Sequence, residues 1–223
     1  MVAAAGNDAL DGNAPIYPAA DPGAVAVAAT RSSGTRASFS NYGSYVDLGA
    51  PIVGIAATAS GGGYWLLGRD GGIFSFGDAS FFGSTGGMTL NQPVVDMAPT
   101  ASGRGYWLVA ADGGVFSFGD ARFHGSTGAI RLNRPVVSLT PAPDGGYWMV
   151  ASDGGIFAFS VPFHGSLPSL ARSGLPDGHR IRATTGGAGY YILGANGQVF
   201  PFGAATDHGS PAPQPAADLI LAP

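Results

Sequence analysis

Cysteine is absent from the 223-residue chain, and so is lysine. Without thiols neither a disulfide nor a thiolate metal site can form, and redox compartment cannot be read from the sequence. The ten cationic side chains are all arginine, unclustered, and the net charge is −4. Such a chain offers no electrostatic footprint to a phosphate backbone, which argues against a nucleic-acid partner. Charged residues are only 11% of the chain, against roughly 25% in typical soluble domains. The longest apolar stretches, such as residues 23–30, have the length of a strand and fall far short of the roughly 20 residues that span a bilayer, so no membrane helix is expected. The start, Met1-Val2-Ala3-Ala4-Ala5-Gly6-Asn7, lacks the charged and long apolar regions of a signal peptide, and the chain as written is expected to carry no export signal.

What the chain does contain is 38 Gly and 17 Pro, about a quarter of its length, with 45% hydrophobic residues. Many turns and little exposed helix follow from the first fact. The second, with regularly placed aromatics, favours a packed core over disorder.

The aromatics repeat. Tyr64-Trp65, Tyr106-Trp107, Tyr147-Trp148 and Tyr190-Tyr191 stand at spacings of 42, 41 and 43 residues. In the same register follow Asp70-Gly71, Asp112-Gly113, Asp153-Gly154 and Asn196-Gly197, then Phe74/Phe76, Phe116/Phe118, Phe157/Phe159 and Phe200/Phe202. Gly83-Ser84, Gly125-Ser126, Gly165-Ser166 and Gly209-Ser210 close each unit. Within one unit, strands are expected over residues 94–98, 105–110 and 114–118, with a weaker fourth around Phe123-His124. Asp-Gly between apolar runs predicts a hairpin through a tight type I′ turn, with positive φ at both central residues. Phe116 and Phe118 fall on one face and Ser117 on the other, so one buried and one small or polar face is expected.

About four strands in about 42 residues is the blade size of a β-propeller, in which radial packing buries faces that one small sheet cannot bury alone. The fold expected is mainly β, a four-repeat β-propeller-like module over residues 51–223 behind a short N-terminal segment, 1–50. A closed four-bladed ring is favoured; an open arc needing a second copy, or a solenoid, are the alternatives. The pattern at 93–126 resembles a repeat found as tandem arrays in extracellular actinobacterial proteins and covers roughly 51–210. That resemblance implies a propeller-like accessory module, often attached to hydrolases. The fourth copy departs from it at Tyr191, Asn196 and Pro201 and is expected to be frayed or at an edge.

Residues 1–50 do not fit the repeat. They hold, in order, Val2-Ala3-Ala4-Ala5-Gly6-Asn7-Asp8, Tyr17-Pro18-Ala19-Ala20, Ala24-Val25-Ala26-Val27-Ala28, Arg36-Ala37-Ser38-Phe39-Ser40-Asn41-Tyr42-Gly43 and Val46-Asp47-Leu48-Gly49-Ala50-Pro51. This series resembles the later catalytic-domain segment of the subtilisin-like serine proteases. The resemblance implies that Asn7 holds the oxyanion-hole position, with Ala4, Ala5 and Gly6 matching a wall of the primary specificity pocket, and that the protein is extracellular. An oxyanion donor acts only on charge that a nucleophile has generated; subtilisin is itself the standard example. The family's Asp and His motifs lie upstream of this segment, and its Gly-Thr-Ser-Met-Ala nucleophile motif should follow Ala50-Pro51 by a few tens of residues, where repeat sequence stands. Nucleophile, base and acid are therefore unassigned, and a few strands without the rest of their sheet are expected to pack poorly. Residues 51–58 satisfy both families and are expected to mark a recombination or deletion junction. Asp218-Leu219-Ile220-Leu221-Ala222-Pro223 looks like the first strand of another repeat, either closing the ring or beginning a fifth unit.

Several residues invite functional readings that the repeat already explains. His124, His164 and His208 precede Gly-Ser, yet stand in register with Phe82 and are better read as strand residues than as a catalytic motif or as converging zinc ligands. Asp70, Asp112 and Asp153 suit turns before calcium or sugar; the Tyr-Trp pairs suit packing before sugar stacking. No cofactor and no metal is expected. Three functions remain: a non-catalytic accessory or binding module recognising an extracellular glycan or protein ligand, a fragment of a serine endopeptidase, or a structural spacer.

Overall fold

The computed structural model describes residues 50–219, together with two short strands, β1 (Val2–Ala4) and β2 (Val25–Val27), which pair in parallel. From Ile52 onward each repeat makes one antiparallel three-stranded sheet. The first holds β3 (Ile52–Ala57), β4 (Gly63–Gly68) and β5 (Ile73–Gly77). The second holds β6 (Val94–Pro99), β7 (Gly105–Ala110) and β8 (Val115–Gly119). β9 (Val136–Pro141), β10 (Tyr147–Ala151) and β11 (Ile156–Phe159) form the third, and β12 (Gly178–Ala183), β13 (Gly189–Gly194) and β14 (Val199–Gly203) the fourth. In every sheet the strands stand in chain order, with the middle one bonded to both neighbours. Among the described residues the helical content is one short 3-10 turn, Leu167–Leu170.

Three strands, not four, make each unit. The expected fourth, around Phe123-His124, lies outside any ladder. Its amide is taken elsewhere: His124 N–H donates to the Tyr147 hydroxyl of the next sheet, at 3.2 Å. The hairpin turn also differs from the type I′ expectation. In the second repeat Ala110 N donates to Gly114 O and Gly113 N to Ala110 O, each at 2.8 Å, which closes a three-residue loop. Only its glycine, Gly113, takes a positive φ, of 74°; this is the hairpin in which a turn is followed by one left-handed residue. Asp112 is held differently from the expectation, its Oδ1 accepting the Gly114 N–H at 2.9 Å. Asp70 and Asp153 do the same for Gly72 and Gly155.

Alternation puts Tyr106 and Leu108 on one face of β7 and Trp107 and Val109 on the other, and all four are buried. The small or polar second face expected for the third strand, at Ser117, does not extend to the middle strands, because each inner sheet is covered on both sides by its neighbours in sequence. Packing runs in series through the first strands, β3 with β6, β6 with β9 and β9 with β12. Among the described residues no packing of similar extent joins β12 back to β3, so the four sheets form an open series.

The fourth sheet is fully paired, with Pro201 opposite Tyr191 in β14, an outer strand where a missing N–H is tolerated. Beyond it the tail runs beside the fourth sheet. Ala216 N donates to Ala195 O at 3.2 Å, as Val94 does to Arg69, Val136 to Ala111 and Gly178 to Ser152 at the start of each later repeat. Asp218 meets Arg182 Nη2 at 3.0 Å and Arg180 Nε at 3.6 Å. Of the stretch expected to close the ring or begin a fifth unit, residues 220–223 lie outside the described residues.

Candidate functional site

The joint between consecutive sheets is a tyrosine set into a glycine loop. Tyr106 Oη donates to Gly83 O at 2.6 Å and accepts the Phe82 N–H at 3.1 Å. Tyr147 repeats this with Gly125 O and His124 N, and Tyr190 with Gly165 O and His164 N. The tyrosine of one sheet also meets the tryptophan of the sheet before it: Trp65–Tyr106, Trp107–Tyr147 and Trp148–Tyr190 have ring centroids 5.9, 5.8 and 5.5 Å apart. Burial pushes all three phenols above their ordinary value, against the backbone hydrogen bonds that pull them down.

The tryptophans clamp the same loops from the other side. Trp65 Nε1 donates to Ser80 O, Trp107 Nε1 to Arg122 O and Trp148 Nε1 to Pro162 O, at 2.7–2.8 Å. One residue in each loop therefore sits between two fixed backbone points: Phe81, Phe123 and Phe163. These residues are 59%, 61% and 58% exposed. Sequence reasoning missed this row. The signal was present as a further aromatic column directly before Phe82, His124 and His164, and what hid it was the assignment of that segment to a strand.

A polar seam crosses the sheets at a second place. Asp96 Oδ2 accepts the Ser138 hydroxyl at 2.7 Å and Leu139 N–H at 3.0 Å, and Oδ1 accepts Met97 N–H at 2.9 Å. Burial raises the Asp96 carboxyl above its ordinary value of 3.8, while the hydrogen bonds from Ser138 and Leu139 and the charges of Arg182 and Arg180 oppose the rise. A carboxyl raised in the folded state favours folding when protonated, so its contribution is full below 3.8 and is lost as pH rises through the native value. We expect Asp96→Asn to flatten this part of the stability-versus-pH curve, as read by melting temperature against pH. Asp78 and Asp120, exposed at the hairpin ends, behave oppositely. Their carboxyls are lowered by hydroxyl donors, Ser60 and Thr58 for the first, Ser102 and Thr100 for the second, so their small contribution is lost as pH falls.

Ala4 closes β1 opposite Val27. Ala5, Gly6 and Asn7, the remaining residues of the expected pocket wall and oxyanion position, lie outside the described residues, as does most of the segment expected to pack poorly. The histidines do not converge. His124 Nε2 accepts the Gly146 N–H and its ring packs on Tyr147, and His164 packs on Tyr190 and Trp148. Both serve the joints, in loops and not in strands; His208 is exposed. Among the described residues no group of three or more His, Asp or Glu is placed to hold a metal, and no helix is long and apolar enough to cross a membrane.

Comparison with known proteins bears on the N-terminal part. Residues 1–68 match the Subtilase family. The match continues past residue 50 through β3 and β4; residues 51–58 carry the double reading expected of the junction, whereas residues 59–68 were expected to be repeat alone. Alkaline protease 1 of Emericella nidulans is 58% identical over 50 residues, 22% of this chain and 12% of that protease. Subtilisin E of Bacillus subtilis is 47% identical over 66 residues, 29% of this chain and 17% of the relative. The chain thus spans less than a fifth of the length of either protease. Among solved structures, a structural genomics protein of unknown function from Bacteroides thetaiotaomicron aligns over 67% of this chain and 40% of its own, at 14% identity and a TM-score of 0.46.

Proposed function

We propose that the chain is a non-catalytic accessory module derived from a secreted subtilisin-like protease, in which residues 51–223 form an open propeller-like array that binds extracellular carbohydrate. The carrying observation is the row Phe81, Phe123 and Phe163. Three exposed rings stand at equivalent positions of successive repeats, each on backbone fixed on both sides by the Trp and Tyr hydrogen bonds. An aromatic face held in place loses little freedom on stacking against the C–H face of a sugar. A row of them suits a polymer with a repeating unit, since the second and third contacts are intramolecular once the first is made. In the fourth repeat Asp207 takes the Phe position, so the row is three rings long.

The test is co-sedimentation of the purified chain with insoluble peptidoglycan, chitin and cellulose. Retention on one of these, reduced about tenfold or more in the Phe81→Ala/Phe123→Ala/Phe163→Ala variant, is the expected result. Equal retention of the variant, or none by the parent chain, defeats the carbohydrate reading and leaves the spacer role.

The second reading, a fragment of a serine endopeptidase, is favoured by the subtilase match over residues 1–68. On either reading Ala4, Ala5, Gly6 and Asn7 are the remnant of a specificity pocket and oxyanion position.

A further inference from the structure

Among the described residues the inter-sheet joint is made three times and left half-made at the first and fourth sheets. Tyr64 holds the register of the joint tyrosines: it faces Phe76 as Tyr106 faces Phe118 and Tyr147 faces Phe159. Tyr106, Tyr147 and Tyr190 are fully buried, yet Tyr64 is 40% exposed. Its ring lies stacked on Phe76 at 5.0 Å and 21°, whereas the seated Tyr106–Phe118 pair is tilted at 51°. Ile55 shows the same contrast: it occupies the position of Met97, Leu139 and Ile181, all buried, and is 68% exposed. Residues 1–50 hold no repeat that would supply a preceding sheet.

The other end carries the complementary half. Tyr191 stands where earlier sheets have tryptophan and makes the tryptophan's bond, its hydroxyl donating to Thr206 O at 3.0 Å. The loop it pins leads to His208-Gly209. A side-chain atom at Gly83, Gly125 or Gly165 would strike Phe118, Phe159 or Phe202 of the following sheet, while at Gly209 it would meet nothing within 4 Å. Among the described residues the fourth loop is open on the side that a following sheet covers in the first three repeats.

We propose that the exposed face of the first sheet docks on the trailing edge of the fourth sheet of a second copy of this chain, seating Tyr64 at the partner copy's His208-Gly209 loop. The contact continues, between copies, the interface already built between sheets within one copy. It joins two different surfaces, so repetition either closes a ring of chains or extends a filament. The tail is its competitor. Residues 216–219 occupy the place that the docking copy's β3 takes, held by Asp218 to Arg180 and Arg182; Asp218 is half-exposed, and such pairs contribute little, so the tail yields readily.

Sedimentation velocity on the full chain, from micromolar to hundreds of micromolar, tests this. The parent chain is expected to self-associate with rising concentration. Ile55→Asp, which puts a charge in the contact, abolishes association while leaving the circular dichroism unchanged. Tyr64→Phe, which leaves the partner's glycine carbonyl without its donor, weakens it roughly tenfold, and Asp218→Ala, which frees the tail, strengthens it. A parent chain monomeric throughout overturns the proposal, as does undiminished association of Ile55→Asp. A monomeric parent whose melting temperature falls in Ile55→Asp also overturns it, because the face is then covered by the chain's own residues.

Discussion

Trp148→Ala should lower the stability of the repeat array by about 3–5 kcal/mol, a range that large-to-small substitutions of buried aromatics commonly reach. Trp148 is fully buried in the third hydrophobic cluster with Val150, Leu167, Ile181, Tyr190, Ile192 and Phe202. Its loss opens a cavity between the third and fourth sheets, removes the tilted ring contact to Tyr190 and strips Pro162 O of the indole donor at 2.8 Å. Those effects add, because the cluster joins two sheets and neither can close over the gap without breaking its register with the other. A domain is stable by only about 5–15 kcal/mol, so the change consumes a large part of the margin. Tyr191→Ala, at the equivalent position of the fourth sheet, which no further sheet covers among the described residues, should cost clearly less. Urea denaturation of both variants measures the difference; equal costs would mean that the sheets do not stabilise one another in series.

Gly113→Ala should be strongly damaging although it leaves every strand sequence intact. Gly113 sits at φ 74° at the end of the hairpin loop, where a left-handed conformation costs an L-residue about 1–2 kcal/mol. The new Cβ would also run into Thr127 Oγ1. Thr127 cannot move aside freely, since its N–H donates to Gly113 O at 3.0 Å and its hydroxyl to Asp112 O at 3.1 Å. Overpacking of this kind adds roughly 1–3 kcal/mol. Gly103→Ala separates the two effects: Gly103 has a similar φ of 68° and nothing within 4 Å of its added Cβ, so it should show the backbone cost alone. Thermal melts of the pair are expected to differ in that order, and a Gly103→Ala variant as unstable as Gly113→Ala would remove the steric part of the argument.

The parts of the fold that were legible in the sequence are those that depend on local period. Tyr-Trp, Asp-Gly and Phe-x-Phe recur because each sheet needs the same middle strand, turn and outer strand, and the strand limits in the second repeat follow from them to within a residue or so. What was not legible is what depends on the neighbouring sheet. Phe123-His124 has strand composition, but its amide is claimed by Tyr147 from the next repeat, and no local pattern records that. The aspartates before glycine do mark turns as expected, though through a three-residue loop in which only the glycine is left-handed. The open series was equally hidden: Ile55 and Ile181 are the same residue type at the same repeat position, one exposed and one buried. Only the presence of a neighbour distinguishes them.

The protease-like segment shows the opposite balance. Its motif order identified the subtilase match in advance, because those motifs are read as sequence whether or not the surrounding sheet is present. The chemistry did not follow from it, since Asn7 has a role only beside a nucleophile that no residue of this chain has been shown to supply.

The measurement that tests the non-catalytic account most directly is labelling of the purified chain with a serine-directed fluorophosphonate probe, read beside turnover of a broad peptide substrate. The account predicts neither turnover nor labelling above a denatured control. Stoichiometric labelling of one serine, with peptide turnover abolished by its replacement with alanine, would contradict it and make the chain a protease.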